Sequence, residues 1–206
     1  MKEKKITTLF LDIGGVLLTN GWGQTARNKT IAYFKLNSDE VNERHHLTFD
    51  TYEEGKLTLT DYLKRVIFYE KRKFSENDFT KFMFNQSLAY ADTIAFFKKI
   101  KKRYHLKVIA VSNEGRELNA YRVEKFRLNE LFDAFVSSSY VHLRKPDVDI
   151  FLMAVDISQT VPENSLFIDD RLMFVKVAES LGLYGIHYQG LEKVKNQLKA
   201  FGLVVE

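Results

Sequence analysis

Short apolar runs alternate with longer stretches of helical period over the second half of this chain. The runs Ile6 to Ile13, Leu106 to Ser112, Ala134 to Ser137, Ser165 to Asp169 and Tyr184 to His187 read as strands. Between the later ones, apolar positions recur at helical spacing over Leu118 to Phe126, Ile150 to Asp156, Leu172 to Leu181 and Leu191 to Phe201. Strands alternating with helices predict an α/β fold with a parallel, doubly wound sheet. Ligands of such sheets bind beyond the carboxyl ends of the strands, where Asp12, Ser112 and Asp169-Asp170 fall.

From roughly Trp22 to Ser87 the alternation stops and the pattern is almost wholly helical, as in Thr58-Leu59-Thr60-Asp61-Tyr62-Leu63. Thr58 or Thr60 is placed to cap that helix, and Gly55 to close the turn before it. A helical block inserted directly after the first strand is expected to sit above the sheet's active edge as a lid. The predicted division is residues 21–88 as a helical cap, and 1–20 with 89–206 as the core. The joints fall near Gly21 to Gly23 and Tyr90 to Asp92, and a lid there excludes water and selects substrate. Gly21-Trp22-Gly23-Gln24-Thr25-Ala26 formally fits a dinucleotide fingerprint, but lies too far past the first strand to form its turn, so it reads as a hinge. His45 and His46 are helical neighbours pointing to different faces, a poor metal pair. Phe68, Tyr69, Phe79, Phe82 and Phe84 are expected to pack the cap, with one or two lining the pocket.

Composition narrows the class of protein. At 206 residues the chain holds one domain, or a domain with an insertion. The absence of cysteine excludes disulfides, thiolate metal sites and a cysteine nucleophile, and fits a cytoplasmic location. The basic start followed by Ile6 to Leu18 superficially resembles a signal peptide, but Asp12 interrupts the apolar segment, and it reads as a first strand. Other segments fall short of membrane-spanning length. The net charge of +4 comes largely from clusters at Lys98 to Lys107 and Lys64 to Lys73, interleaved with apolar residues as on a solvated helix face. Nucleic acid is therefore not an expected partner, whereas a small anionic metabolite is.

The candidate chemistry lies at the strand ends. Leu9-Phe10-Leu11-Asp12-Ile13-Gly14-Gly15 places a carboxylate at the end of a buried strand before a glycine turn, where its charge is costly unless used. Val108 to Asn113 ends a second strand in Ser112 and Asn113; Ser112 either caps the following helix or offers its hydroxyl to a phosphate. Lys145, before Pro146, is placed to hold a positive charge over a phosphate or a carboxylate. Leu166-Phe167-Ile168-Asp169-Asp170 ends a further strand in two adjacent carboxylates, which with Asp12 make an oxygen-rich set suited to Mg²⁺. The alternative has Asp170 capping the helix from Leu172 while Asp169 pairs with Lys145.

Asp12, Ser112, Lys145 and Asp169-Asp170, in this order at successive strand ends, resemble the motifs of the haloacid dehalogenase superfamily over nearly the whole chain. The resemblance implies a Rossmann-like core with a cap after the first motif. It implies that Asp12 attacks phosphorus to form an aspartyl-phosphate, and that Mg²⁺ is held by Asp12, the Gly14 backbone carbonyl and Asp170, tuned by Asp169. Ser112 and Asn113 would bind the phosphoryl group, and Lys145 would neutralise its charge.

Two positions depart from that pattern. Most phosphatases of the family carry a second aspartate two residues after the nucleophile as general acid and base; here that residue is Gly14. General acid–base catalysis contributes about 10²–10⁴-fold, so turnover is expected to be slowed or restricted by leaving group rather than abolished. The closest-looking subgroup includes glucose-1-phosphate phosphatase-like proteins. Phe174 stands where relatives often have asparagine or aspartate, which weakens the outer metal shell. The leading expectation is a Mg²⁺-dependent phosphatase of a small phosphomonoester, such as a sugar phosphate. The alternatives are a haloacid dehalogenase, whose nucleophilic aspartate needs no metal and against which Asp169-Asp170 argues, and a catalytically silent phosphate- or metabolite-binding scaffold, supported by Gly14.

Overall fold

The structure, a computed structural model, describes residues 5–205; the first four residues of the leader-like basic start, with position 206, lie outside the described residues. In chain order, β1 (Thr8–Leu11) is followed by α1 (Gln24–Phe34), α2 (Ser38–Glu53), α3 (Leu59–Val66) and α4 (Glu76–Asn85). Then come α5 (Ala91–Tyr104), β2 (Lys107–Ser112), α6 (Arg116–Lys125), β3 (Ala134–Ser137), α7 (Ser138–Val141) and α8 (Val148–Ser158). The chain closes with β4 (Ser165–Asp169), α9 (Leu172–Ser180), β5 (Tyr184–His187) and α10 (Leu191–Leu198).

The five strands form one parallel sheet in the order β3-β2-β1-β4-β5. Both faces are covered, which explains the continuous apolar runs. Leu9, Leu11, Val108, Ala110, Leu166 and Ile168 face one layer with Phe97 and Ile100 of α5 and Val194 and Leu198 of α10. The intervening Phe10, Ile109, Val111 and Phe167 face the other, with α8 and α9. From β1 the chain builds outward to β3, then crosses to β4 and β5 on the other side, so the sheet's switch point lies between β1 and β4. Asp12 and Asp169 emerge there. The first strand is shorter than expected, but Asp12 N–H still donates to the Ile168 carbonyl at 3.0 Å.

The helices α1 to α4 pack around an apolar cluster that includes Trp22, Tyr62, Leu63, Phe79 and Met83 and is joined by Leu118 of α6. The chain leaves and re-enters the sheet region side by side: Thr19 N–H donates to the Leu88 carbonyl and Tyr90 N–H to the Leu17 carbonyl, both at 2.9 Å. Thr58, not Thr60, caps α3, in a reciprocal capping box with Asp61; the Thr60 hydroxyl donates to Glu76 at 2.6 Å instead. Gly55 follows α2 at a φ of +71°, and a side chain there would meet the Ser139 carbonyl at 2.1 Å. The lysine-rich α5 is a solvated face as expected, with Lys98 paired to Glu130 and Lys101 to Asp133, each at 2.7 Å. No helix among the described residues is long and apolar enough to cross a membrane.

Candidate active site

Lys145 organises the edge of the sheet. Its side chain is buried, and its ammonium donates to Asp12 Oδ1 at 2.9 Å, Asp169 Oδ2 at 2.6 Å and the Val111 carbonyl at 2.8 Å. Three donors meet three acceptors, so the buried charge is fully satisfied. The loop presenting Lys145 is fixed by Asn113, whose side chain accepts from Lys145 N–H at 2.8 Å and donates to the Lys145 carbonyl at 2.7 Å. The Asn113 side chain is thus committed to Lys145, which leaves its backbone free of that bond. Ser112 is buried at the end of β2 and lines the cavity. It does not cap α6, whose cap position is Gly115.

Asp12, Asp169 and Asp170 offer carboxylate oxygens within 4.8 Å of one another. Asp169 pairs with Lys145, as one alternative held, and accepts from Arg171 N–H at 2.8 Å. Asp170 does not cap α9; Arg171 occupies the cap position without a side-chain bond. Burial, with Asp169 as a second cause, pushes the Asp170 carboxyl up. Burial likewise raises Asp12, to about 7, against the pull of Lys145. Desolvation opposes charge on Lys145, but the two carboxylates outweigh it and hold the ammonium protonated. Three close oxygen donors with only one cation among them fit a hard divalent metal, which would favour the ionised form of each.

The paired glycines have different tasks. Gly15 has a φ of +77°, and a Cβ there would lie 2.1 Å from Asp170 Oδ2, so the turn needs glycine to admit that carboxylate. Gly14 is not in the left-handed region. A Cβ there would meet only one close atom, Asn20 Oδ1 at 2.8 Å. Asn20, which sequence reasoning did not single out, also hydrogen-bonds Asp170. Phe174 is buried, with its ring centroid 5.3 Å from Lys145 Nζ and 5.4 Å from the Arg171 guanidinium. Where a polar outer ligand was looked for, an aromatic face covers two cations.

A cavity of about 730 Å³ opens above this edge, walled by the sheet ends and by α1 and α2. Its aromatic lining is Trp22, Phe49, Tyr52, Tyr90 and Phe174. Of Phe68, Tyr69, Phe79, Phe82 and Phe84, none lines it, against the expectation that one or two would; the expected packing within the helical block holds for Phe68, Phe79 and Phe82, which meet Tyr33, Phe34 and Phe74. The Tyr52 ring lies so close to Gly115 that a Cβ there would come within 2.0 Å. Arg144, beside Lys145, reaches Glu53 at 2.6 Å and Asp50 at 2.9 Å on α2. The Ser138 hydroxyl donates to the Glu53 carbonyl at 2.7 Å, and Leu59 N–H to Glu117 at 2.9 Å. A buried pair, Arg122 to Glu114 at 2.5 Å, completes the wall, with Arg122 also donating to the Thr19 carbonyl.

At the switch point of the parallel sheet, then, a buried lysine bridges two carboxylates with a third alongside. The chain belongs to the haloacid dehalogenase-like hydrolase family, whose description matches residues 6–182. A curated relative, the phosphorylated carbohydrates phosphatase of Thermotoga maritima, is 30% identical over 134 residues. That match covers 65% of this chain and 57% of the relative's length. A HAD family enzyme of Bacteroides thetaiotaomicron superposes with a TM-score of 0.81 at 20% identity, covering 95% of this chain and 99% of that one. The same enzyme in complex with magnesium and inorganic phosphate superposes with a TM-score of 0.74 at 20% identity, over 88% and 93% of the two chains. The L-2-haloacid dehalogenase of Xanthobacter autotrophicus has a TM-score of 0.63 at 14% identity, covering 97% of this chain and 85% of its own.

Proposed function

We propose that this chain is a Mg²⁺-dependent phosphatase of small phosphomonoesters, with sugar phosphates the favoured class, working through an aspartyl-phosphate on Asp12. The observation that carries this is the meeting of Asp12, Lys145, Asp169 and Asp170 at one sheet edge beneath a large cavity. The Thermotoga maritima relative's name and the magnesium and phosphate in the Bacteroides enzyme support it. Lys145 holds Asp12 Oδ1, so Oδ2 is the oxygen available to attack phosphorus. A bond forms from Oδ2 to phosphorus as the ester bond breaks, and the leaving group departs as an alkoxide or phenolate that takes a proton from water. A water then attacks phosphorus, the Oδ2–phosphorus bond breaks, phosphate leaves with the water's proton passing to solvent, and the Asp12 carboxylate is restored. Ser112 and the backbone of Asn113 hold the phosphoryl oxygens, and Lys145 offsets their charge. Asp12, Asp170 and the Gly14 carbonyl would hold Mg²⁺, with Asp169 behind them; when bound, it neutralises charge on the transferring group.

Residues 21–88 act as the cap and residues 1–20 with 89–206 as the core. The apolar cluster of α1 to α4, joined from the core by Leu118 and Tyr121 of α6, and the hydrogen-bonded entry and exit segments support that division. Gly14 supplies no acid for the leaving group, so turnover is slow or restricted to good leaving groups. Gly14 also favours a second reading, a silent phosphate-binding scaffold. Phosphate release from a substrate panel with and without Mg²⁺ separates the two. Release that needs Mg²⁺ and is abolished in Asp12→Asn, with the fold intact, is expected; activity in that variant near the unmutated level would refute the covalent mechanism.

A further inference from the structure

The wall of the cavity above Asp12 holds a cation that the phosphoryl chemistry does not use. Arg27, in the first turn of α1, is partly buried and lines the same cavity as Asp12. Its Nε donates to Asn42 Oδ1 at 2.8 Å, and its Nη1 reaches His45 Nε2 at 3.1 Å and the Trp22 carbonyl at 3.4 Å. Arginine only donates, so His45 Nε2 accepts, and the proton of the neutral ring sits on Nδ1. That Nδ1–H donates to the Tyr62 hydroxyl at 2.7 Å, which also accepts from Trp22 Nε1 at 2.8 Å. Burial first, then Arg27, pushes His45 down to about 3, consistent with a neutral ring.

Every partner of this guanidinium is therefore neutral. Among the described residues, no carboxylate pairs with Arg27, and its hydrogen bonds run through Nε and Nη1 and leave Nη2 without a partner. The acids of the wall are already committed: Asp50 and Glu53 to Arg144, Glu114 to Arg122, Asp12 to Lys145. Lys29 and Arg171 also line the cavity, but they are solvent-exposed, and Arg171 lies near enough to Asp170 and Glu53 to act on both carboxyls. Taking an arginine partly out of water without a counter-ion is unfavourable, and burial does lower its affinity for its proton. Neutral acceptors fix its orientation while leaving its charge uncancelled, the arrangement of a preorganised anion receptor.

We propose that Arg27 recognises a second anionic group of the substrate, a carboxylate or a further phosphoryl group, on the part of the molecule remote from the scissile ester. This rests on the phosphatase reading of Asp12 and narrows it: the preferred substrate is an acidic phosphomonoester, such as a phosphorylated sugar acid or a bisphosphate, rather than a neutral sugar phosphate. The volume of the cavity is ample for a small ester with such a tail.

Non-hydrolysable probes read Arg27 apart from catalysis. Phosphonocarboxylates and bisphosphonates of graded chain length are titrated calorimetrically, with Mg²⁺, against alkylphosphonates of matching length. At the best length, an acidic series should bind the unmutated protein about 10–100-fold more tightly than the alkyl series, the worth of a charged hydrogen bond. Whichever acidic series wins identifies the group. Arg27→Gln should remove that preference and leave alkylphosphonate affinity unchanged, while Arg27→Lys, which keeps the charge, should retain part of it. With acidic substrates KM should rise and kcat hold; with p-nitrophenyl phosphate neither should move. Equal affinity for all three series in the unmutated protein, or uniform weakening by Arg27→Gln, would overturn the assignment. If neither p-nitrophenyl phosphate nor acidic phosphomonoesters are hydrolysed with Mg²⁺ while the binding pattern holds, the phosphatase reading fails and the role of Arg27 stands.

Discussion

Replacing Gly14 by aspartate tests the proposal that a missing proton donor limits this site. The backbone at Gly14 lies outside the left-handed region, so a side chain adds no strain of that kind, unlike at Gly15. Steric cost is confined to Asn20: its Oδ1 would lie 2.8 Å from the new Cβ, and its next nearest atoms at 3.8 and 3.9 Å. Asn20 is exposed, so its side chain has room to turn. Overpacking costs roughly 1–3 kcal/mol, and the stiffer unfolded chain returns about 0.4–1 kcal/mol. The net loss is thus at most about 2–3 kcal/mol, and the variant should fold.

The kinetic effect should be selective. Aryl phosphates release stable phenolates and need little protonation, so the unmutated protein should cleave them faster than alkyl phosphates. Gly14→Asp should raise kcat/KM for alkyl phosphates by about 10²–10⁴-fold and change aryl turnover far less. Because Asn20 also bonds Asp170, Asn20→Ala is measured alone and combined with Gly14→Asp, separating clash relief from any loss at the metal site. Gly15→Asp is the contrasting control: at a φ of +77°, with Asp170 Oδ2 2.1 Å from its Cβ, it should abolish activity. A folded, Mg²⁺-binding Gly14→Asp variant with no selective gain on alkyl substrates would refute the idea that a missing proton donor limits the enzyme.

Two further outcomes test the framework of the site. Lys145→Met leaves Asp12 and Asp169 buried without their shared cation, and should cost roughly 3–5 kcal/mol in urea unfolding; a loss below about 1 kcal/mol would mean that its three bonds contribute little. Arg144→Ala cuts the link from the Lys145 loop to Asp50 and Glu53, and should raise KM and speed amide exchange across the end of α2; unchanged exchange there would show that other contacts hold α2 in place.

What the sequence made legible follows from how each feature is built. The strands were readable because a sheet covered on both faces requires continuous apolar runs. Asp12, Ser112, Lys145, Asp169 and Asp170 were readable because each sits at or near the end of such a run, or just before a helix. The wall of the cavity was not, because it is assembled across elements far apart in sequence. His45 is one of two adjacent histidines until α1, α2 and α3 bring Arg27 and Tyr62 to its two ring nitrogens. A local signal did exist: His45 and Phe49 stack one helical turn apart on α2, marking that face as packed rather than solvated. Asn113 shows a different limit. Its place at a strand end identified it as part of the site, yet whether its amide holds a ligand or a neighbouring loop depends on the path of residues near 145, which spacing cannot reveal. Phe174 adds the physical reason that one substitution need not dismantle the site. It gives up a polar metal-shell side chain but lays a ring against Lys145, lowering water access to the ammonium that holds Asp12 and Asp169. On the proposed mechanism, the site would keep its fixed positive charge without that outer ligand and without a proton donor at residue 14, which would favour substrates whose leaving groups need little help.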